Sequence, residues 1–422
     1  MEYDTSKASE GASNNMGYDS RSEGYYYDIV IVGGGPGGST CAALLGKAGK
    51  KVLLLDKAHF PRDKTCGDAL SGSLRVQKDM GITEKIRDVQ HAVINGVEFS
   101  SPEGVVVDIP FESNGFCCPR YVYDNLVFRE ALASVDVIQN FEVTSLLREG
   151  SRVVGVSGNG ADGGMKEIRA KLVIGADGAF SLVARETGCH DLDPKHTITA
   201  VRAYYTGVAG VADKIELHFV NEILPGYFWI FPVGNGRCNV GVGMVDDIMM
   251  KKKLQMPSSM MKIINENPLF RERFSGATME KGSLKGWRLP IGSKRRKMHG
   301  DGFVLVGDAA GLIDPFTGEG ISNATVSGEI AANWAIKALD AQNFSSSFLK
   351  GYADEVWTFL GPKMKTSYRL QRIGRIKFLT NLIFRKAARS RHVMDSLKSM
   401  VDNMDQRNNI INPLFYLRLL LA

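Results

Sequence analysis

A glycine turn near the start of the chain has the spacing of a phosphate-binding loop. It lies between two apolar runs, DIVIV and KKVLLLD, which have the composition of buried strands. Gly33, Gly35 and Gly38 satisfy G-x-G-x-x-G: the first permits a tight turn, the second lets a pyrophosphate approach, and the third lets helix pack on strand. The N–H groups around Gly37 then point at phosphate. Asp56 ends the second run and is placed to bind an adenosine ribose, so the motif predicts a dinucleotide site rather than a purely structural βαβ turn.

Two later segments favour FAD over NAD as the dinucleotide. One apolar run ends at Asp177, and a second ends at Asp308 before a loop that leads through Gly318 and Gly320 into a long helix. An acid at a strand end so far along the chain suits a long cofactor, and we expect Asp308 to bind the ribityl hydroxyls. The helix that begins near Gly320 would aim its positive end at the flavin pyrimidine edge, which stabilises negative charge there by about 0.3–1 kcal/mol.

The composition limits the class of protein. With 422 residues the chain is long for one core, and 44% hydrophobic and 23% charged residues are ordinary for a globular protein. Six cysteines without a C-x-x-C pair argue against a disulfide framework and favour a reducing, cytoplasmic environment. No apolar run approaches the roughly 18 residues of a membrane span. A net charge of +6 does not predict nucleic-acid binding, and His59, His196 and His218 lack metal or triad spacing.

The three motifs, in this order, resemble the para-hydroxybenzoate-hydroxylase-type flavoproteins. The resemblance implies an α/β fold in which a FAD-binding Rossmann-type domain is interleaved with a β-rich substrate domain and followed by a C-terminal helical tail. The predicted division is a disordered extension (1–24), a FAD-binding domain (25–195 and 291–345, interrupted by a substrate-domain hairpin near 90–115), a substrate domain (196–290) and a C-terminal helical region (346–422). No second G-x-G-x-x-G lies between a strand and a helix, since the match at Gly158, Gly160 and Gly163 falls in a predicted hairpin turn, so a separate NAD(P)H domain is not expected.

Two further segments are similar to the geranylgeranyl reductase family. They are a proline followed by the aromatic pattern Y-x-W-x-F-P, and a K-x-C-G element, carried here by Pro225, Tyr227, Trp229, Phe231 and Pro232, and by Lys64, Cys66 and Gly67. Side chains alternate along a strand, so the three aromatic residues form one stripe. Most such stripes are hydrophobic core, but the resemblance favours a pocket wall. It implies FAD-dependent saturation of C=C bonds in the prenyl chain of a lipid, quinone or chlorophyll-like substrate.

The resemblance also implies roles for individual residues. Arg120 would approach the flavin or its phosphates rather than act as a surface arginine, and the backbone near Val143 would edge the adenine. The predicted cofactor-binding residues are Gly33, Gly35, Gly37, Gly38, Asp56, Cys66, Gly67, Arg120, Val143, Asp177, Asp308, Gly318, Gly320 and Ile321. The predicted catalytic residues are Cys66, Tyr227, Trp229 and Phe231.

The chemistry of an isolated alkene explains why the site needs residues of these types. Hydride attack alone would leave an unstabilised carbanion, so the site needs a proton donor as well as a hydride. A ring face stabilises a cation by about 0.5–2 kcal/mol, far below the 8–23 kcal/mol that enzymes typically supply (about 10⁶–10¹⁷-fold). Positioning of the alkene against the hydride donor must therefore supply most of the rate enhancement. Cys66 is the candidate donor because a thiol of pKa about 8.5 is mostly protonated at neutral pH; the alternative is a small hydrophobic residue that shapes the turn.

Other activities share this fold. A flavin-dependent halogenase carries W-x-W-x-I-P, but Tyr227 and Phe231 replace the first tryptophan and the isoleucine here. An aromatic hydroxylase and a non-enzymatic flavin-binding protein are the remaining alternatives. The predicted electron donor is NAD(P)H or a reduced ferredoxin-like protein.

A basic segment lies near the end of the chain. It contains no Asp or Glu, and its basic residues are Lys363, Lys365, Arg369, Arg372, Arg375, Lys377, Arg385, Lys386, Arg389 and Arg391. Apolar residues are interleaved with them, although not on one clean helical face. The segment predicts either docking on an anionic membrane surface, at the inner face of the cytoplasmic membrane, or an ordinary solvated surface.

Overall fold

The computed structural model describes residues 27–70, 75–391, 393–395 and 398. The predicted disordered extension (1–24) and the last part of the predicted helical region (399–422) lie outside the described residues. Among the described residues, no helix combines the length and the hydropathy that crossing a bilayer requires.

The described residues form strands and helices that alternate along most of the chain. The strands are β1 (Tyr27–Val32), β2 (Val52–Leu55), β3 (Ala69–Leu70), β4 (Ala92–Ser100), β5 (Val106–Cys117), β6 (Asp136–Ile138), β7 (Glu142–Glu149), β8 (Arg152–Asn159), β9 (Met165–Gly175), β10 (Thr197–Thr206), β11 (Lys214–His218), β12 (Tyr227–Pro232), β13 (Arg237–Val245), β14 (Thr278–Met279), β15 (Lys285–Pro290), β16 (His299–Gly300) and β17 (Phe303–Leu305). The helices are α1 (Pro36–Lys47), α2 (Arg75–Asp79), α3 (Ile82–Ile86), α4 (Arg120–Leu132), α5 (Leu182–Glu186), α6 (Asp246–Lys251), α7 (Met256–Glu266), α8 (Ile321–Asp340), α9 (Ser346–Ile373) and α10 (Lys377–Ala387).

The first sheet is largely parallel and has the order β16-β17-β9-β1-β2-β6, with β7 and β8 attached beside β9. Strand β1 lies between β9 and β2 and is parallel to both. Ile29, Val30 and Ile31 are fully buried, as expected for a parallel strand covered by helices on both faces. The carboxyl ends of β1, β2, β9 and β17 lie at one edge of this sheet, which brings Gly33, Asp56 and Asp308 together.

The second sheet has the order β14-β10-β13-β12-β11-β4-β5-β3, with β15 also paired to β10. Strand β12 is central, and its residues alternate between two environments. Phe228 and Ile230 pack with α7 in a hydrophobic core, whereas Tyr227, Trp229 and Phe231 face a cavity on the opposite side. The intervening residues form one core, while Trp229 and Phe231 are also buried, in a separate apolar cluster that borders the cavity. Their role as the wall of a substrate pocket stays a prediction.

The C-terminal helices connect the two sheets. Helix α9 packs on α8 and on β16 beside the first sheet, and α10 contributes Phe384 and Ala387 to a cluster with Val97 and Phe219 of the second-sheet side. The predicted α/β architecture with a C-terminal helical region is confirmed. Strands β4 and β5 pair within the second sheet, while the predicted domain boundaries stay a prediction.

Candidate functional site

A cavity of about 1270 Å³ lies between the two sheets. Its volume exceeds the roughly 300–1,000 Å³ of a pocket that holds one small ligand. Every predicted cofactor-binding and catalytic residue except Gly38 lines it. The cavity therefore brings together segments that are almost 300 residues apart in the chain, from Gly33 to Ile321.

The glycine turn is built for close approach. Gly33 has φ +105°, and a Cβ on it would lie 2.4 Å from the carbonyl oxygen of Ala176. A Cβ on Gly38 would lie 1.9 Å from the Gly33 oxygen, so Gly38 packs helix on turn and does not face the cavity. Gly35 is different, because the nearest side-chain atom to its added Cβ is an Arg62 nitrogen at 3.7 Å. The space beside Gly35 is thus open and faces a cation.

Charged side chains surround this turn. The Asp56 carboxylate accepts hydrogen bonds from the N–H groups of Gly34 (2.7 Å) and Ala58 (2.8 Å), which fix it at the end of β2. Arg120 and Arg62 both donate to Asp124. Burial opposes the charge of Asp124, but these two guanidinium groups hold the pKa of Asp124 below its usual range. Two arginines held by one carboxylate leave positive charge for a phosphate.

Arg62 is a candidate phosphate-binding residue that the sequence did not predict. Its guanidinium carbon lies 4.7 Å from the centre of the Phe60 ring, and Phe60 stacks on Phe128 at 3.9 Å. The stack orients Arg62 toward Gly35. A weak signal was present in the sequence, since Arg62 lies seven residues after the end of β2, within the segment that leads to Cys66.

A second helix begins beside the glycine turn, where a Cβ on Gly37 would lie 2.9 Å from the carbonyl oxygen of Ala324 in the first turn of α8. Gly318, Gly320 and Ile321 line the cavity at the start of α8, and no side chain caps this helix or α1. Uncapped helix N-termini leave backbone N–H groups available and carry partial positive charge. Two such ends facing one cavity suit a ligand that has a diphosphate and an electron-accepting ring.

Asp308 and Asp177, the two acids that follow later strands, have different surroundings. Asp308 lines the cavity and has Lys64 as a charged neighbour. The Asp177 carboxylate instead accepts hydrogen bonds from Ser181 Oγ and from the N–H groups of Leu182 and Val183 at the start of α5. Asp177 thus holds a helix end, and its predicted contact with the cofactor stays a prediction.

The aromatic stripe lies directly over glycines of β13. In the register of the two strands, Tyr227 pairs with Gly243 and Trp229 pairs with Gly241. A Cβ on Gly241 would lie 2.3 Å from the indole ring of Trp229, so the ring occupies the space that a side chain would need. Gly241 therefore sets the position of Trp229. The alternating glycines of NVGVG were the sequence signal for this arrangement, and the prediction did not include them.

The cysteine turn contacts the other end of the stripe. A Cβ on Gly67 would lie 3.1 Å from the Phe231 ring, which places the turn against it. Cys66 is partly exposed, whereas the other five cysteines are buried. Burial lowers the pKa of the nearby Lys64 to about 8, although Asp308 raises it. Its ammonium group lies 3.7 Å from the centre of the Trp287 ring.

One end of the cavity is apolar and is called here the apolar lobe. It is lined by side chains of β4, β5, β11, the residue after β11, and α10, among them Phe99, Ile109, Phe111, Leu217, Phe219 and Phe384. Aromatic side chains bury large apolar areas, about 150–250 Å² each. The lobe therefore fits a flexible hydrocarbon chain, and one end of the stripe borders it, with the ring centres of Tyr227 and Phe219 6.5 Å apart.

The polar and glycine residues of the cavity wall fit FAD. The glycine turn, Asp56, Arg62 and the uncapped end of α1 would hold the adenosine and the pyrophosphate, and Asp308 and the start of α8 would hold the ribityl chain and the ring. This fit depends on the open side of Gly35 and on the uncapped helix ends.

Comparisons with known proteins agree with this fit. Residues 26–359 match the family described as FAD binding domain. The chain is 35% identical to digeranylgeranylglycerophospholipid reductase 1 of Methanopyrus kandleri, over 78% of this chain and 85% of that protein. It is 32% identical to menaquinone reductase of Mycobacterium tuberculosis, over 72% of this chain and 75% of that protein. The solved structure of a geranylgeranyl bacteriochlorophyll reductase-like protein from Thermoplasma acidophilum matches with a TM-score of 0.80 at 24% identity, covering 88% of this chain and 96% of that chain.

Proposed function

The chain belongs to the geranylgeranyl reductase family of FAD-dependent oxidoreductases, and from that premise we propose that it saturates the prenyl chains of a glycerophospholipid. A prenylated quinone is the second candidate, because a menaquinone reductase is among the relatives. The glycerophospholipid is preferred since the relative with the higher identity acts on that class, as its name states. The observation that carries the proposal is the continuity of the FAD cradle, the aromatic stripe and the apolar lobe within one cavity.

Saturation of an isolated C=C bond adds a hydride to one carbon and a proton to the other. FAD, when bound and reduced, supplies the hydride. The protein must then hold the alkene, exclude water and provide the proton. The apolar lobe binds the chain through apolar contact, which needs no polar group on the substrate. Trp229 and Tyr227 fix the plane of the reacting segment, and their ring faces favour cationic character at the carbon that receives the hydride.

Cys66 is the proposed proton donor. It lies on the cavity wall in the turn that contacts Phe231, and its thiol neighbours the Arg120 guanidinium. A proton lost from the thiol leaves a thiolate, which a neighbouring cation stabilises. Lys64 lines the same wall, and its lowered pKa fits it to return a proton to the thiolate.

The experiment uses protein reconstituted with FAD under anaerobic conditions, with dithionite as the reductant so that the natural donor is not required. Vesicles that contain a geranylgeranyl glycerophospholipid, and separately menaquinone, are the substrates. We expect the mass of the lipid to increase by H₂ for each bond saturated. Reduced FAD with no change in either substrate would contradict the proposal, while formation of a halogenated or hydroxylated product in air would support one of the alternative activities.

The electron donor and the site of action are finer parts of the proposal. NAD(P)H or a reduced ferredoxin-like protein is the proposed donor. The proposed site of action is the surface of an anionic membrane, and the turn between α9 and α10 supports it. Arg372, Arg375, Ile376, Lys377 and Phe378 are exposed in this turn.

The same turn forms part of the wall of the cavity. Leu370 and Ile383, which flank the exposed residues, and Ile373 and Gly374, which lie among them, line the cavity. A basic turn with exposed apolar tips fits an anionic lipid surface, where each Lys or Arg contributes about 1 kcal/mol of attraction. Docking there would let a lipid chain pass from the bilayer into the apolar lobe.

A further inference from the structure

A buried amide lies between the aromatic stripe and the cysteine turn. Asn239 of β13 is fully buried and lies opposite Phe231 in the strand register. Its Nδ2 donates to the Cys66 carbonyl oxygen at 2.7 Å and to the Asp68 carboxylate at 2.8 Å. Its Oδ1 accepts from the indole Nε1 of Trp229 at 2.9 Å. Both amide hydrogens and the amide oxygen are thus used, and each of the three partners belongs to the cavity wall.

Only one orientation of this amide fits its surroundings. With Oδ1 and Nδ2 exchanged, the oxygen would face the Cys66 carbonyl and the Asp68 carboxylate, while the NH₂ group would face the indole N–H. Two acceptors and one donor would then each meet a group of the same kind. The partners therefore define the orientation of Asn239, and Asn239 in turn fixes the distance between Trp229 and the main chain of Cys66.

Asp68 completes the arrangement from the side of the turn. It is fully buried, with φ +68°, and its Oδ2 also accepts from the Tyr204 hydroxyl at 2.6 Å. Its Oδ1 accepts a hydrogen bond of 3.3 Å from the main-chain N–H of Arg120. No described Lys or Arg forms an ion pair with Asp68 within 4 Å; its carboxylate is held by hydrogen-bond donors from β10, β13 and α4.

Building a carboxylate and an amide into an apolar wall has a cost unless every polar atom is paired. The hydroxyl, the amide and the carboxylate here are paired with one another and with two groups predicted to act in catalysis. A network satisfied in this way rigidifies the groups it joins. The pairing is also costly to break, because each partner would be left buried without its hydrogen bond.

We propose that Asn239 and Asp68 are positioning residues that hold the Cys66 turn and the Trp229 indole at a fixed separation across the substrate cavity. The proposal rests on the proposed function. Neither residue touches the reacting bond; each acts through Cys66 or Trp229. Loss of either lets the turn move relative to the stripe, and a misplacement of about 1 Å costs up to about a hundredfold in rate.

Alkylation of Cys66 by iodoacetamide measures the turn without any substrate. Cys66 is partly exposed while the other five cysteines are buried, so the folded protein should be modified at this position first. The FAD-loaded protein is treated and the Cys66 peptide is followed by mass spectrometry. The same preparations are then assayed for kcat and KM with dithionite and the prenyl substrate.

Asn239→Leu and Asp68→Asn are the test variants. Leucine removes all three hydrogen bonds of the amide. Asparagine keeps the shape and tolerates positive φ, but in either orientation its NH₂ group faces a donor, from Arg120 on one side or Tyr204 and Asn239 on the other. The matched control is Glu216→Gln, since Glu216 is a buried carboxylate on the opposite face of the same sheet, paired with Arg273.

We expect both test variants to raise the alkylation rate of Cys66 several-fold and to lower kcat about tenfold to a hundredfold, with a smaller change in KM. Glu216→Gln should change neither the alkylation rate nor the ratio of kcat to KM. The proposal is overturned if Cys66 reacts at the wild-type rate in both variants, or if Glu216→Gln has an equal effect. If Asn239→Leu does not fold, Asp68→Asn decides. A wild-type protein that reduces no prenyl chain would contradict the proposed function instead, and the alkylation rates would still test the positioning.

Discussion

The hydroxyl of Tyr227 donates a hydrogen bond of 2.6 Å to the carbonyl oxygen of Thr317. This bond joins the central strand of the second sheet to the loop that leads into α8, and a Cβ on the next residue, Gly318, would lie 3.2 Å from the same hydroxyl oxygen. The aromatic stripe is thereby attached to the part of the chain that we expect to hold the flavin ring. One end of the stripe is anchored at Thr317 and the other at the cysteine turn.

Replacing Tyr227 with phenylalanine tests this anchor. The ring stays, but the Thr317 carbonyl loses its donor, and we expect a loss of about 0.5–1.5 kcal/mol of stability together with a lower kcat/KM for the prenyl substrate. Chemical unfolding and steady-state assays measure the two effects. Tyr205→Phe is the control, because Tyr205 projects from β10 into the core on the α7 side and its hydroxyl donates a weak hydrogen bond of 3.7 Å to the Met261 sulfur. Equal kcat/KM values for the two variants would show that the anchor has no role.

A pair of glycine substitutions tests whether Trp229 must lie over β13. Gly241→Ala places a methyl group 2.3 Å from the indole position and 2.4 Å from the carbonyl oxygen of Val201 on β10, whereas the nearest atom to a Cβ on Gly243 is Ala200 Cβ at 3.4 Å. We expect Gly241→Ala to displace the indole and to lower kcat/KM about tenfold or more, and Gly243→Ala to stay close to wild type. The bound-flavin spectrum should be retained in both. Normal turnover by a folded Gly241→Ala variant would remove the indole from the substrate wall.

The turn and the stripe could be predicted from sequence because each is a local pattern. Gly33, Gly35 and Gly38 occupy one turn, and Tyr227, Trp229 and Phe231 follow the period of a strand. Cofactor and family followed from these patterns. The alternation of side chains along β12 also predicted that its two faces differ. It did not predict that Phe228 and Ile230 form the core.

The network around Asn239 could not be predicted in the same way. Asn239 and Cys66 are 173 residues apart, and a single asparagine in the strand RCNVGVGMV has no local partner that would reveal its role. Arg62 presents the same difficulty, since its orientation depends on Phe60 and on Asp124, 62 residues away. Contacts of this kind are set by how the two sheets meet, which no periodicity in one segment encodes.

Gly35 offers a test of the cofactor assignment that leaves the fold intact. Its φ of −68° is open to any residue, and the space beside it is free except for Arg62 at 3.7 Å. Gly35→Leu should therefore fold but project a side chain into the phosphate position, so the purified protein should be colourless while the wild type is yellow. Gly361→Ala, on α9 and away from the cavity, is the control. Full flavin content in Gly35→Leu would contradict the assignment.

The pH dependence of stability tests the burial of Asp68. Burial raises the pKa of Asp68 to about 6 from an ordinary value of 3.8, against the hydrogen bonds from Tyr204 and Asn239 and the charges of Arg202 and Arg120. The folded state therefore binds the proton more tightly than the unfolded state. The stability associated with this group is fully present below pH about 4 and is lost as pH rises through about 6, a difference of about 3 kcal/mol at most.

Asp68→Asn cannot titrate, so its free energy of unfolding should lack this decline. We expect the wild-type value minus the variant value, measured by urea unfolding at a series of pH values, to fall between pH 4 and pH 7. Subtraction removes the contribution of groups that titrate alike in both proteins. Cys117 lies near this carboxyl, but burial raises the pKa of its thiol well above the ordinary value of 9.0, so Cys117 does not titrate over this range. A difference that stays constant over this range would show that Asp68 has an ordinary pKa.

The exposed turn between α9 and α10 tests membrane docking. Phe378 is 66% exposed and Ile376 is 49% exposed, with Arg372, Arg375 and Lys377 beside them. Co-sedimentation with anionic and neutral vesicles over a salt series should show binding that requires anionic lipid and weakens with salt, because the attraction of basic residues is screened. Arg372→Gln with Arg375→Gln should weaken binding most at low salt. Ile376→Ser with Phe378→Ser should weaken it at every salt concentration, since these side chains would enter the apolar layer.

Phe359→Ser is the control for the apolar tips, because Phe359 is 58% exposed but lies on α9 fourteen residues before the end of that helix, outside the turn. It should bind vesicles as the wild type does. Turnover separates docking from catalysis: with a lipid presented in vesicles the tip variant should lose activity, and with the same lipid in detergent micelles it should retain it. Equal pelleting with neutral vesicles, no pelleting with either, or an equal effect of Phe359→Ser would each exclude this turn as the docking site.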